Sequence, residues 1–251
     1  LPFSNIWIAS QMAHRIPEGS TIHFGILNSL RSWNFFELPE SVLSASNVGG
    51  FGIDGNVSAL HGASLANRDK LFFGVIGDLA FFYDLNVLGN HHIGNNLRIM
   101  LVNNGKGTEF LNYSHRGTQF GEDVEKYMAA AGHFGNQSRT LVKHFAQDLG
   151  FEYFSASNKQ EFEDVYERFL VPEITERPMV FEVFTNSSVE SDALERIRSM
   201  ERDVKVETKN VLKRIFGKRV VDITKKIIKR YRHVVPRRAE EWLPIRCCVV
   251  H

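Results

Sequence analysis

Cysteine is nearly absent. Two occur in 251 residues, Cys247 and Cys248, side by side near the end. Neighbouring thiols staple no fold, so a disulfide scaffold is excluded and a reducing, cytoplasmic setting is expected. Long apolar runs are missing too: no stretch reaches the ~18 residues that a membrane-spanning helix needs. The opening "LPFSNIWIASQMAHRIPEGS" lacks the basic region and small-residue cleavage site of a secretory leader. It reads instead as a helix with apolar Ile6, Ile8, Ala9, Met12 and Ala13. Methionine is absent from position 1, so the chain reads as a piece of a longer polypeptide.

Apolar side chains are plentiful, at 43% with 20 Phe, enough to build one compact domain with an appendage. The net charge of +1 conceals a split. Residues 201–251 hold 15 Lys/Arg against 6 Asp/Glu, and residues 1–200 hold 15 against 23. A boundary near residue 200 follows, between a domain over 1–200 and a basic tail over 201–251. In that tail Val211, Leu212, Ile215, Phe216, Val220, Ile223, Ile227 and Ile228 recur at helical spacing among Lys and Arg. A basic amphipathic helix of this kind rests on its own acidic body, an acidic protein partner or, less favoured here, an anionic membrane surface. Nucleic acid is not expected, because no aromatic or motif support accompanies the charge.

From 1 to 200, short β-rich runs alternate with helix-like stretches. The strand candidates are "TIHFGI" (21–26), "SVLSAS" (41–46), "KLFFGVIG" (70–77), "LRIMLVN" (97–103), "FEYFSA" (151–156) and "PMVFEVF" (178–184). Helices are expected at roughly 28–36, 56–67, 79–90, 138–149 and 158–170. The pattern predicts a doubly wound α/β fold with a six-stranded, mostly parallel sheet covered by helices on both faces. Ligands of such sheets bind beyond the carboxyl ends of the strands. There the chain places "LNS" (27–29), "NVGGFGIDG" (47–55), "GDLA" (77–80) and "NNGKGTEF" (103–110). The long stretch 104–137 that follows has the length of a functional loop.

Gly50-x-Gly52-x-x-Gly55 with Asp78 beyond it matches, as a pattern, a dinucleotide site for a Rossmann-type NAD-dependent oxidoreductase. The same rim also suits a divalent cation. Mg²⁺ takes hard oxygen ligands, and Asp78 with Asn103-Asn104 on neighbouring strand ends would supply them to a diphosphate. The glycines alone leave both open.

The stretch "GDLAFFYDLNVLGNHHIGNNLRIMLVNNG" resembles the motif of thiamine-diphosphate-dependent enzymes, which opens on Gly-Asp and closes on Asn-Asn. The resemblance covers about residues 5–200, the family's pyrophosphate-binding domain. Within the family, "GDLAFFYDLN", "GIDG" and "LNS" are most similar to menaquinone-pathway carboligases. It implies thiamine diphosphate held through Mg²⁺ by Asp78, Asn104 and the carbonyl of Lys106. Gly77, Leu79 and Ala80 complete the motif around Asp78. Asn28, Ser29 and Thr108 fall beside the diphosphate, and Gly52 lets the backbone approach the cofactor. Ile53 matches the apolar residue that bends it. The implied chemistry is decarboxylation of a 2-oxo acid and carboligation to an acceptor. The resemblance also implies a homo-oligomer and an activating glutamate supplied by a separate N-terminal pyrimidine-binding domain, in the parent chain or a partner subunit. No part of 1–251 resembles that domain, so the chain alone is expected to be inactive.

Two positions depart from the carboligase pattern. Trp33 and Val48 stand where basic residues hold substrate carboxylates. These departures point to a related carboligase or decarboxylase with a less acidic acceptor. A degenerate, non-catalytic assembly module, its basic tail docking to a membrane or a protein, is the third expectation. His91-His92 reads as a surface loop rather than a metal pair. His115, Arg116, His133, Arg139 and Glu109 read as solvated loop residues that could meet a substrate.

Overall fold

The computed structural model describes residues 1–48, 52–105, 107–108 and 137–200. The chain divides into two compact units, one containing Leu1–Ala193 and one spanning Leu194–Ile245. Of the second, 194–200 is described and is helical. The basic tail, 201–251, lies outside the described residues.

Six strands build the first unit: β1 Thr21–Phe24, β2 Leu43–Ser46, β3 Phe72–Gly77, β4 Leu97–Asn103, β5 Glu152–Ala156 and β6 Met179–Phe184. They line up as β2-β1-β3-β4-β6-β5, and every pairing is parallel. The sheet is thus parallel throughout, where the sequence promised a mostly parallel one. α1 Asn5–Met12 precedes β1, and between the strands run α2 Asn28–Trp33, α3 Asn56–Ala66, α4 Asp78–Tyr83, α5 Leu141–Asp148 and α6 Lys159–Phe169. Residues 187–200 are also helical, a stretch that the apolar pattern did not announce.

The central strands β1, β3, β4 and β6 are buried on both faces because their side chains alternate between two cores, while the edge strands β2 and β5 stay partly exposed. Ile22, Phe24, Phe73, Val75, Met100, Phe181 and Val183 pack with α1, α2 and α6 around Trp7, Trp33, Phe162 and Phe169. Phe72, Ile76, Leu97, Ile99, Leu101 and Val180 pack on the other face with Val57, Leu60, Phe81, Val142 and Ala146 from α3, α4 and α5. Gly74 permits this layering, since a Cβ there would lie 2.4 Å from Leu60 Cδ2. One side chain breaks the apolar rule at the start of β4. Arg98 is fully buried and donates to the carbonyls of Phe169, Val171 and Glu173, tying off the end of α6. Burial lowers its pKa to about 10, so it stays cationic at neutral pH.

Candidate functional site

The strand order creates the crevice. β1 sends its chain through α2 to β2 on one side, and β3 sends its own through α4 to β4 on the other. Between diverging connections the carboxyl ends of β1 and β3 leave a cleft, the usual ligand position in such sheets. Leu27–Ser29, Gly77–Asp78 and the Asn103–Gly105 turn all follow strands ending at this rim. Leu27 is the one described non-glycine residue with positive φ, at 70°.

Asp78 is 2% exposed and opens α4. Its Oδ1 accepts from the backbone N–H of Leu79 at 2.7 Å. Its Oδ2 accepts from the N–H of Asn104 at 3.1 Å and of Gly105 at 2.7 Å. The two ends of the predicted motif, 26 residues apart in sequence, therefore meet at one carboxylate. Gly105 has φ 78°, a left-handed turn suited to glycine, which brings the second N–H round. Thr108 is also buried, and its hydroxyl has no hydrogen-bond partner among the described residues. Lys106, Gly50, Glu109, His115, Arg116 and His133 lie outside the described residues.

The described end of the glycine turn, 52–55, and the start of α3 are held by three contacts. Asn47, just beyond β2, donates to the carbonyl of Gly55 at 3.1 Å. Asn56 donates to the carbonyl of Ile53 at 2.6 Å. Asp84, the Asp of "YDLN", accepts from the N–H and hydroxyl of Ser58, both at 2.6 Å, and so caps the first turn of α3. Gly55 has φ 72°, and a Cβ at Gly52 would lie 2.2 Å from Asp54 Oδ1. Ile53 is half-buried and leans on the α3–α5 core. Beneath the turn lies His23 of β1, buried beside Asn56, with burial pushing its pKa down.

Ser29 is buried, and its Oγ accepts a long bond from Asn5 Nδ2, at 3.5 Å. Asn28 begins α2, Gly77 caps α4, and Ala80 is buried in its first turn. Trp33 is 2% exposed, donates its indole N–H to Asn5 Oδ1 at 3.0 Å and packs on Phe24. Val48 is exposed. His91 and His92 are exposed on a turn, as expected, though their rings approach to 3.8 Å. Arg139 lies over the Phe184 ring and donates to Ser157.

Three buried acids or partners escaped the sequence reading. Glu182, in β6, accepts from Asn103 Nδ2 and from the Tyr153 hydroxyl. Burial raises the pKa of both Glu182 and Tyr153. Glu190 is buried beside the amino end of α1, where it accepts from the N–H of Asn5 at 2.9 Å. Burial lifts its pKa to about 7. The signal for Glu182 was present, as a lone acid inside "MVFEVF". Glu190 had none, because its helix was not foreseen.

The dinucleotide pattern fits this topology poorly. Its glycines follow β2 and its acid ends β3, yet β1 lies between those strands. Among the described residues no cluster of three or more His, Cys, Asp or Glu could hold a metal. A cation beside Asp78 would thus draw on amide, carbonyl and phosphate oxygens, the donor set of Mg²⁺ rather than of a thiolate or imidazole metal.

Fold and site together define a doubly wound α/β domain with one buried carboxylate at its switch point, clasped by main-chain N–H groups. No profile of a known protein family matches the chain. Individual relatives do, and they are 2-succinyl-5-enolpyruvyl-6-hydroxy-3-cyclohexene-1-carboxylate synthases. The chain is 32% identical to that of Bacteroides fragilis over 194 residues, 77% of this chain and 33% of the relative. It is 32% identical to that of Bacteroides thetaiotaomicron over 192 residues, 76% of this chain and 33% of the relative. With that of Christiangramia forsetii it shares 30% over 194 residues, 77% of this chain and 32% of the relative. The chain is a distant homologue of these synthases and spans about a third of their length.

Proposed function

We propose that this chain is the cofactor-holding part of a thiamine-diphosphate- and Mg²⁺-dependent enzyme that joins a decarboxylated 2-oxo acid to an acceptor. The observation that carries the reading is the meeting of Asp78 with the N–H groups of Asn104 and Gly105. It brings a carboxylate, a carboxamide residue and the Gly105 turn together at the carboxyl ends of β3 and β4. The unpartnered hydroxyl of buried Thr108 fits the same group, as a donor awaiting an acceptor oxygen.

In this reading Asp78, the Asn104 amide and the carbonyl of Lys106 hold Mg²⁺, with Asn28, Ser29 and Thr108 beside the diphosphate. Bound thiamine diphosphate supplies an electron sink for the carbanion left by decarboxylation. Ile53 props the cofactor in its bent form from a turn fixed by Asn47, Asn56 and Asp84. The activating carboxyl comes from a separate domain, in the parent chain or a partner subunit. Trp33, built into the core, and Val48 supply no cation for substrate carboxylates, so the acceptor is less acidic than that of the menaquinone synthases.

Thermal denaturation tests the cofactor. At 100 times Kd a ligand adds about 2.7 kcal/mol, which in a domain of this size raises Tm by roughly 5–10 °C. Thiamine diphosphate with Mg²⁺ is expected to give that shift, and Asp78→Ala to abolish it. A shift with NAD(H) instead, independent of Mg²⁺, would overturn the reading.

A further inference from the structure

Behind the turn that clasps Asp78 runs a buried polar chain with no task in the account so far. Glu182 stands in β6 among Met179, Val180, Phe181, Val183 and Phe184, all buried, and is itself 0% exposed. A carboxyl group in such a strand is costly unless its oxygens are bonded. Here Oε1 accepts from Asn103 Nδ2 at 2.7 Å and Oε2 from the Tyr153 hydroxyl at 2.6 Å. Asn103 is 1% exposed, and its Oδ1 accepts from the N–H of Gly105 at 3.1 Å. That same N–H donates to Asp78 Oδ2 at 2.7 Å. A continuous path therefore runs from β5 through β6 to the end of β4 and on to Asp78 at the end of β3.

Replacing a buried polar group by a well-packed apolar one is often neutral or stabilising, and every neighbour of Glu182 in β6 is apolar. What the path does is orient one amide. Asn103 Nδ2 is drawn to Glu182, which leaves Oδ1 facing Gly105 and holds the turn closed. Gln137 reinforces it from outside by donating to the carbonyls of Asn103 and Thr185, at 2.7 and 2.8 Å. We infer that Glu182 is a positioning residue for the cation–diphosphate site, acting through Asn103 on the turn that carries Asn104. The inference rests on the proposed role of Asp78 and Asn104.

The test uses the 251-residue chain and calorimetric titration of thiamine diphosphate, then of inorganic pyrophosphate, over a series of Mg²⁺ concentrations. The readout is the Mg²⁺ concentration at half-saturation, with the ligand-free Tm recorded alongside. Glu182→Met leaves Asn103 Nδ2 without an acceptor and is expected to raise that concentration about 10–100-fold, as loss of an outer partner of a metal ligand does. Glu182→Gln keeps an oxygen for Asn103 and turns an N–H toward the Tyr153 oxygen, so it stays close to wild type. Asn103→Ala loses as much as Glu182→Met and serves alone if that variant does not fold. The double variant loses no more than either single one, since both cut one link. Unchanged Mg²⁺ dependence with only Tm lowered, additive losses, or a Gln variant as weak as Met would overturn the inference. Wild-type chain binding neither ligand with Mg²⁺ would overturn the site reading beneath it.

Discussion

Leu27 carries the clearest local strain at the site. Its φ of 70° and ψ of −118° belong to a region that glycine reaches freely and a γ-branched residue does not. Such strain costs about 1–3 kcal/mol, and glycine's own entropic cost of about 0.5–1 kcal/mol offsets part of it. Leu27→Gly is therefore expected to raise the Tm by a few degrees in thermal denaturation. A lower Tm would mean that contacts of the leucine side chain outweigh the strain.

Glu190 gives a pH signature at the same scale. Its carboxyl titrates near 4.5 when exposed and at about 7 in the fold, because burial disfavours the charged form. The folded chain then holds a proton that the unfolded chain releases between those values. Stability from this group is complete below pH 4.5 and is lost as pH rises to about 7. The shift corresponds to roughly 3 kcal/mol. Glu190→Gln, which keeps an oxygen for the N–H of Asn5, should raise Tm at pH 8 and flatten its fall between pH 5 and pH 7. Equal pH profiles for the two proteins would count against a protonated Glu190.

Among the elements, α3 and α4 act as one brace. Asp84 ends α4 and takes both the N–H and the hydroxyl of Ser58 in the first turn of α3, which follows the Ile53 turn directly. Loss of a helix cap costs about 1 kcal/mol, so Asp84→Ala should lower Tm modestly. If the turn lies under the thiamine rings while Asp78 holds the diphosphate, the same variant should weaken thiamine diphosphate more than inorganic pyrophosphate in calorimetry. Equal losses for the two would show that the brace serves the whole domain and not the ring end.

The elements also mark how far the sequence was legible. Each strand lies within two residues of its apolar run, because a parallel sheet covered on both sides demands uninterrupted apolar segments. The approach of Asn104 to Asp78 was legible because two motif halves agreed. Arg98, Glu182 and Glu190 were not, since each is a charged residue whose partners are distant carbonyls, amides or a helix end that no local spacing encodes. The helix over 187–200 was hidden by a run of Ser, Asn and acids whose inward face shows only in the fold.

At the scale of the whole molecule, the chain matches about a third of the length of the synthases it resembles, and in the proposed reading it supplies a place to bind and only part of what turnover needs. The proposed cation site lies at the edge of a single domain, with Asp78 buried on one side and the glycine turn opposite. In the proposed reading an activating carboxyl approaches the far end of the cofactor from another domain. Binding and chemistry should therefore separate. The isolated chain is expected to bind thiamine diphosphate with Mg²⁺ yet release no CO₂ from pyruvate or 2-oxoglutarate. Adding the remainder of the parent protein as a separate polypeptide should restore release, in proportion to the complex formed. Decarboxylation by the isolated chain would contradict this.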